Sequence, residues 1–516
     1  MKENVLAIRG VGGYRQYRIP AMAVTPSGRI IAIYDARFDF DDLPSPIDLV
    51  IRTSDDNGET WSEQSLFRQH EGVSGFGDAS IIIDPNYGDS GRVIVLYQYT
   101  QHAGFFESSI GTDINNPSVA QICISTSDDD GNTWNHGFIT EQLKSETTLG
   151  IFATSGMGGV ITHGLYAGRI LQTFVLRDSE LFSAIGFSDD HGETWSLGAK
   201  IPGGNETAIT SLNDGSILIH SRGTPFRLSG RSYDGGQSIV ELCSDESLPD
   251  PSDNGSLTTL RNGELICTNN KDSGLRMNTV LRKSKDGGKS WPEEFLLESG
   301  SSAYSTACQL RDGSIGVLFE RNAYVEIVFM KIETKEFVNS KNRESSIEPL
   351  AKLTIIPRFI RPGRNLEAIP TTAKNPTVPE VDMGVWRASE RKEVGAVGGS
   401  TSGDVLFTTD DLDKVLGEIS PGLHLNDEIR VSGKLENNSR KVIKNVAIQT
   451  QADLTIAAQE ELPSGRSMTF LDYRQTVSMQ DIAQGYIEIA IKWLEDDCVI
   501  GLEKIRLSIE SGLPIR

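Results

Sequence analysis

At 516 residues the chain is long enough for about three domains, or for two if one is a large all-β unit. Its 38% hydrophobic and 23% charged residues exclude a wholly disordered or fibrous chain. With 49 basic against 71 acidic residues the net charge is −22, which disfavours nucleic acid and anionic lipid as partners; no apolar run of about 18 residues is present to insert in a membrane.

The chain opens MKENVLAIRGVGGYRQYRIP, with no apolar signal core and no small-residue cleavage site. As written it is expected in the cytoplasm; a trimmed exported chain would read the same way. The 51 glycines and 7% aromatic residues suit many short strands joined by turns better than long helices. Short Gly turns lead into apolar strands in PSGRIIAIY, DSGRVIVLY, YAGRILQTF, NDGSILIHS, RNGELICTN and RDGSIGVLF, around Gly28, Gly91, Gly168, Gly215, Gly263 and Gly313. Interleaved with them is the octet S-x-D-x-G-x-[TS]-W, starting at Ser54, Ser127, Ser188 and Ser284, with a worn copy from Ser232 that lacks the Trp. Asp can accept turn amides, Gly permits positive φ, and Trp covers the turn, so each octet reads as a folded turn between strands rather than a catalytic acid. Six hairpins and up to five box turns fit six four-stranded blades, the last completed by NVLAIRG and AYVEIVFMKIE. The expected fold class is all-β: a six-bladed β-propeller over residues 1–345.

Six prolines between Pro349 and Pro379 suggest a semi-rigid linker over 346–380. Beyond it IRVSGKL, KVIKNVAIQ, SMTFLDY and GYIEIAIKW alternate, with Ile487, Ile489, Ile491 and Trp493 on one face. This predicts a small β-sandwich over 381–516, a packing or glycan-binding accessory. The five cysteines show no CxxC spacing and are expected as buried free thiols. Seven histidines form no HExxH or helical ligand pair, so neither a metal nor another cofactor is expected.

Several segments together carry a resemblance. YRIP holds Arg18; YDARFDFDDLP holds a D-x-R motif with Arg37, then Asp42-Leu43-Pro44; the boxes follow. In this combination the chain resembles the bacterial exo-α-sialidase (neuraminidase) family, over roughly residues 5–335. The resemblance implies Glu206 and Arg222 as catalytic Glu and second arginine in GGNETAITSLNDGSILIHSRG. It implies Arg276 as third arginine in KDSGLRMNTVLRKSKDGGKSW, with Arg282 as alternative. Tyr304 in SSAYSTACQLRDGSIGVLFE corresponds to the nucleophile, and Asp78 in FGDASIIID to the Asp that meets the substrate N-acetyl group. Arg37 joins the substrate-binding set.

These residue types suit the chemistry. Sialic acid bears a carboxylate on its anomeric carbon, which three guanidiniums can clamp. A carboxylate nucleophile would be repelled there, whereas a Tyr hydroxyl is neutral until it attacks, and sialidases are the Tyr-nucleophile exception among glycosidases. The expected roles are Tyr304 as nucleophile, Glu206 as its base and Asp42 as acid and then base, with sialylated glycoproteins, gangliosides and oligosaccharides as substrates. Taken singly, each residue also has a plainer reading: Arg18 at a strand edge, Asp42 in a solvated acidic run with Asp35, Asp39 and Asp41, Glu206 in a turn, Tyr304 in the core, and Arg222 and Arg276 paired with surface acids. Alternatives are a hydrolase of a related nonulosonic or ulosonic acid, a trans-sialidase, and a non-catalytic glycan-binding propeller.

Overall fold

The computed structural model describes residues 2–38, 41–322, 324–333, 351–360, 428–437, 443–450, 455–463, 466–476, 486–495, 498–508 and 514–515. Four four-stranded units follow one another in the sequence. Blade 1 comprises Gln16–Val24, Ile30–Arg37, Ile47–Ser54 and Ser65–Arg68, and blade 2 comprises Gly75–Asp84, Arg92–Thr100, Gln121–Ser127 and Asn135–Phe138. Blade 3 is built on Gly150–Ala153, Ile170–Arg177, Leu181–Ser188 and Ser196–Ile201; blade 4 on Thr207–Ser211, Ile217–Ser221, Phe226–Ser232 and Val240–Pro249. Two short pieces, Gly156–Met157 and Gly159–Val160, pair with the first strand of blade 2 and with Ile170–Arg177 of blade 3 respectively.

Blades 5 and 6 share one long strand. Glu293–Gln309 closes blade 5 (Ser256–Thr259, Leu265–Asn270, Met277–Ser284) with its first half and opens blade 6 with its second. Ile315–Arg321 and Glu326–Ile332 continue blade 6, and the N-terminal strand Lys2–Ile8 completes it by pairing antiparallel with Glu326–Ile332. The two chain segments expected to finish the last blade therefore meet.

Hydrophobic cores lie between successive blades. Tyr34 and Met22 of blade 1 pack with Leu318 and Phe329 of blade 6, while Ile31 and Ile33 pack with Ile81 and Val95 of blade 2. Ile94 meets Phe174 and Trp195; Leu171 and Ile185 meet Ile217 and Ile219; Leu218 meets Leu265 and Trp291; Leu281 meets Val317 and Phe319. With every blade packed on both neighbours, the unit is a six-bladed β-propeller.

The octets are the turns the spacing predicts. In each of the five, worn copy included, the first Ser Oγ accepts the N–H of the fifth-position Gly at 2.9 Å. The Asp receives the Thr or Ser hydroxyl and N–H four residues on, as Asp129 does from Thr133 at 2.6 and 2.8 Å. The octet Gly is also needed for packing: at Gly58, φ +78°, a Cβ would overlap the Phe329 ring of the neighbouring blade. The fourth octet residue joins blades through its carbonyl. Arg29, Arg92, Arg169 and Arg231 donate to the carbonyls of Asp130, His191, Gly235 and Gly287, each on the following blade. A single arginine thus ties its own blade to the next.

Cys123, Cys267 and Cys308 are buried free thiols as expected, but Cys243 is exposed on the outer strand of blade 4. The C-terminal unit contains a three-stranded sheet (Ala351–Ile360, Glu428–Asn437, Ser467–Thr476) and a five-stranded sheet (Thr455–Leu462, Ile443–Thr450, Tyr486–Glu495, Cys498–Ser508, Pro514–Ile515). Ala351–Ile360 lies against Cys498–Ser508 and Thr455–Leu462 against Ser467–Thr476, giving a small β-sandwich. Ile487, Ile489 and Ile491 face inward, but a register shift after Trp493 leaves that ring half-buried and Leu494 buried. The Pro-rich stretch differs from a plain linker, because 351–360 pairs throughout with Glu428–Asn437. Pro357 fits there because the strand is at the sheet edge, where a missing N–H is tolerated. The expected boundaries at 345 and 380 lie outside the described residues.

Candidate active site

Strand register separates the two ends of the propeller. Ile30 pairs with Ser54, placing the blade 1 box and the Gly28 hairpin at one end; Arg18 pairs with Asp35 at the other. Glu206 and Arg222 flank Thr207–Ser211 and Ile217–Ser221 at the end away from the Gly215 hairpin. Tyr304 lies before the Ser305–Gln309 pairing, at the end away from the Gly313 hairpin. Bulges occur on strands at this end, between Arg18 and Ala21, Gly77 and Ser80, Met277 and Thr279, and Ser302 and Ser305. Bulges re-aim side chains, and here they fall beside Arg18, Asp78, Arg276 and Tyr304.

The first group centres on Tyr304, which is buried. Its hydroxyl donates to Glu206 Oε1 at 2.8 Å and accepts from Arg222 Nη1 at 2.7 Å. Arg222 also approaches Glu206 Oε1 at 3.0 Å, and Asn205 Oδ1 accepts both Arg222 Nε and the Glu206 N–H. The guanidinium carbons of Arg18 and Arg276 each stand 5.4 Å from the centre of the Tyr304 ring. Three arginines from blades 1, 4 and 5 thus converge on one tyrosine.

Buried acids hold two of these arginines. Glu320 accepts Arg18 Nε at 2.7 Å and Nη2 at 3.3 Å, and also the Ile19 N–H at 2.7 Å. Ile19 has φ +56°, a left-handed conformation unusual for a β-branched residue, and Glu320 fixes it. Asp253 Oδ1 lies 3.2 Å from Arg276 Nε, and the Ser252 carbonyl accepts Arg276 Nη2. Burial pushes the Asp253 carboxyl up to about 7, against the pull of Arg276. Arg282 turns elsewhere: it pairs with Glu294 at 3.2 Å and donates to the Ser247 carbonyl. Of the two arginines weighed for the third position, the structure brings Arg276 to the site.

The second group contains the remaining expected residues. Arg37 pairs with Asp35 at 2.8 Å and with Asp42 at 2.6 Å. Asp35 also accepts the N–H of Asp78, whose φ is +58° and whose side chain is half-buried. Burial pushes Asp35 up to about 6 despite the adjacent guanidinium. Because Asp35 stands directly across from Arg18 in the sheet, their side chains share one face and the two groups adjoin. Among the described residues no cluster of His, Cys, Asp or Glu is placed to hold a metal ion.

Sequence reasoning missed Asn205, Asp253, Glu320 and Tyr324, whose ring lies 4.1 Å under Arg18. Glu320 left a signal, a charge ending the apolar strand segment GVLFE, since a buried strand acid needs a cation. Asp253 left none, because DPSDNG reads as ordinary turn chemistry.

Fold and motif frame define an Asp-box propeller. Residues 47–317 match the BNR repeat-like domain, over half of the chain. The chain belongs to this family, and it is similar to bacterial sialidases. It is 34% identical over 337 residues to a sialidase of Micromonospora viridifaciens, covering 62% of this chain and 52% of that protein. With a sialidase of Bacteroides fragilis it shares 26% over 350 residues, 62% and 63% of the respective chains. The chain thus spans between half and two thirds of the length of these relatives. In fold it is similar to a Hadza microbial sialidase, with TM-score 0.58, 24% identity and coverage of 65% and 69%. It is likewise similar to a leech intramolecular trans-sialidase, with TM-score 0.59, 17% identity and coverage of 66% and 71%.

Proposed function

We propose that the chain is a glycoside hydrolase, an exo-α-sialidase that removes terminal α-ketosidically linked sialic acid from glycoproteins, gangliosides and oligosaccharides with retention of configuration. The observation that carries this reading is the Tyr304 hydroxyl held between Glu206 at 2.8 Å and Arg222 at 2.7 Å, with Arg18 and Arg276 beside its ring.

Arg18, Arg222 and Arg276 bind the substrate carboxylate by charge-assisted hydrogen bonds and fix the ring for attack. Glu320 and Asp253 hold Arg18 and Arg276 in place by their ion pairs. Tyr304 oxygen attacks the anomeric carbon while Glu206 takes its proton; a free tyrosine near pKa 10 is too weakly ionised to act alone. Arg222 steadies the oxygen as charge builds. Asp42 protonates the departing glycosidic oxygen, then activates the water that releases the sugar from Tyr304. Arg37 orients Asp42 and borders the sugar, and Asp78 receives the N-acetyl group. A carboxylate nucleophile would face the substrate's own negative charge, which is why the Tyr–Glu pair favours this sugar class over ordinary glycosides.

Release of free sialic acid from a fluorogenic sialoside, with the anomer followed by NMR, tests the reading. The α-anomer should appear first. First appearance of the β-anomer would overturn retention, and absence of release would overturn the enzyme reading. A product carrying the sugar on an acceptor would redirect it to transfer.

A further inference from the structure

Asp42 lies between strands Ile30–Arg37 and Ile47–Ser54, in a connection whose exit rests on blade 2. There Leu43 and Ser45 are buried. Blade 2 meets them with bare α-carbons. A Cβ at Gly75 would overlap the Ser45 carbonyl, and one at Gly77 would come within 3.1 Å of Leu43 Cδ1. A Cβ at Gly104 would stand 2.5 Å from the Leu43 carbonyl oxygen and 2.7 Å from Pro44 Cδ. At Gly75 and Gly104 these approaches are closer than side chains make, so something must move, whereas at Gly77 a small give of Leu43 would suffice.

Gly104 is the informative position. Gly75 and Gly77 belong to a paired strand, whereas Gly104 lies outside strands and outside the left-handed region. Alanine there meets no left-handed φ penalty. Nor can Gly104 retreat: its carbonyl accepts the Ser108 N–H, and the adjacent Phe105 is buried with Phe152 and Val175. Arg177 donates to the carbonyls of Phe105 at 3.2 Å and Ser108 at 2.8 Å. A methyl at Gly104 therefore presses on Leu43-Pro44, the residues immediately after Asp42. The entry of the connection is held separately. The Phe38 ring sits 4.9 Å from Tyr14 and 4.8 Å from His70, and Asp48 binds both partners, at 2.6 Å to the Tyr14 hydroxyl and 2.7 Å to His70 Nδ1.

We infer that, beside its ion pair with Arg37, Asp42 is aimed by the bare α-carbon of Gly104 and the Tyr14–His70 clamp on Phe38, which makes Gly104 and His70 positioning residues for the general acid. This rests on the role of Asp42 given above. Proton donation needs the carboxyl within hydrogen-bond reach of the leaving oxygen, and a displacement of about 1 Å can cost roughly 100-fold. An alkoxide leaving group needs that proton; an activated phenoxide hardly does.

The test compares wild type, Gly104→Ala, His70→Ala and Asp42→Ala on a natural sialyl-oligosaccharide and on an aryl sialoside with a good leaving group. Gly104→Ala and His70→Ala should lose roughly 10-fold or more on the oligosaccharide and less than about 3-fold on the aryl substrate, following the pattern of Asp42→Ala. In the Asp42→Ala background, Gly104→Ala should add little further loss, because it acts through the residue already removed. Equal losses on both substrates, full additivity, or unchanged turnover by folded protein would overturn the inference. If Gly104→Ala does not fold, His70→Ala carries the same test with the same outcomes. Absence of turnover by the wild-type protein on either substrate would instead overturn the functional reading.

Discussion

The two ends of the propeller use aspartate in opposite ways. At the box end Asp129 and Asp286 lie partly or fully open to solvent, and hydrogen bonds from Thr133 and Ser290 hold them down at about 2. At the other end Asp35 and Asp253 are buried; loss of solvent pushes them up to about 6 and about 7 while arginines pull the other way. A box aspartate is satisfied within four residues of itself. The site is satisfied across the chain: Arg18 reaches Glu320, and Tyr304 reaches back to Glu206. Local closure gives a stable turn, and long-range closure leaves charges packed against one another where a ligand's charge can join them.

The largest effect is expected from removing the Tyr304 hydroxyl, the proposed nucleophile. Tyr304→Phe should lower kcat by about 10³-fold or more while substrate still binds. Glu206→Ala should lose a comparable amount, and the double variant little more, because the pair acts as a unit. Additive losses in steady-state kinetics would separate the two roles. Next in size, Arg276→Ala should lower kcat/KM by roughly 10- to 100-fold, as expected for a charged hydrogen bond worth about 1.5–3 kcal/mol. Arg282→Ala should stay within about 3-fold, since its contacts are with Glu294 and Ser247. The reverse ranking would exchange their assignments.

At the buried end, Asp253 makes stability depend on pH. Its folded-state pKa is raised above the usual 3.8 to about 7. Between those values the folded form keeps a proton that the unfolded chain has lost, so stability falls as pH rises through the window. The slope is about 1.4 kcal/mol per pH unit for one proton. Denaturant melts from pH 4 to 8 should show this fall in wild type relative to Asp253→Asn, and no relative slope would mean the carboxyl titrates normally. The smallest effect belongs to the box end. Asp190→Ala removes the acceptor of the Thr194 N–H and hydroxyl, and should lower Tm by a few degrees at about 1 kcal/mol per hydrogen bond, with specific activity intact. A box variant that melts normally but turns over nothing would contradict the division of labour.

That division also explains what the sequence disclosed. Hairpins and boxes were legible because their physics is local: Gly28 and Gly58 need positive φ, and Asp56 binds Thr60 four residues away. Motif contexts, not any spacing rule, pointed to Arg18, Arg222, Arg276, Glu206 and Tyr304, which the fold brings together. Asp253 and Asn205 were hidden in turn-like strings, and Asp35 read as one acid of a solvated run although it is buried against Arg37. The strand at 351–360 was hidden by its prolines, which an edge position accommodates.

In the proposed mechanism the Tyr304 oxygen forms the covalent bond to the sugar. A fluorinated sialic acid that traps the glycosyl-enzyme, followed by peptide mass spectrometry, tests it directly. One sugar adduct is expected on a peptide containing AYSTACQLR, residues 303–311, localised to Tyr304 and absent from Tyr304→Phe. An adduct on Glu206 or Asp42 would contradict it.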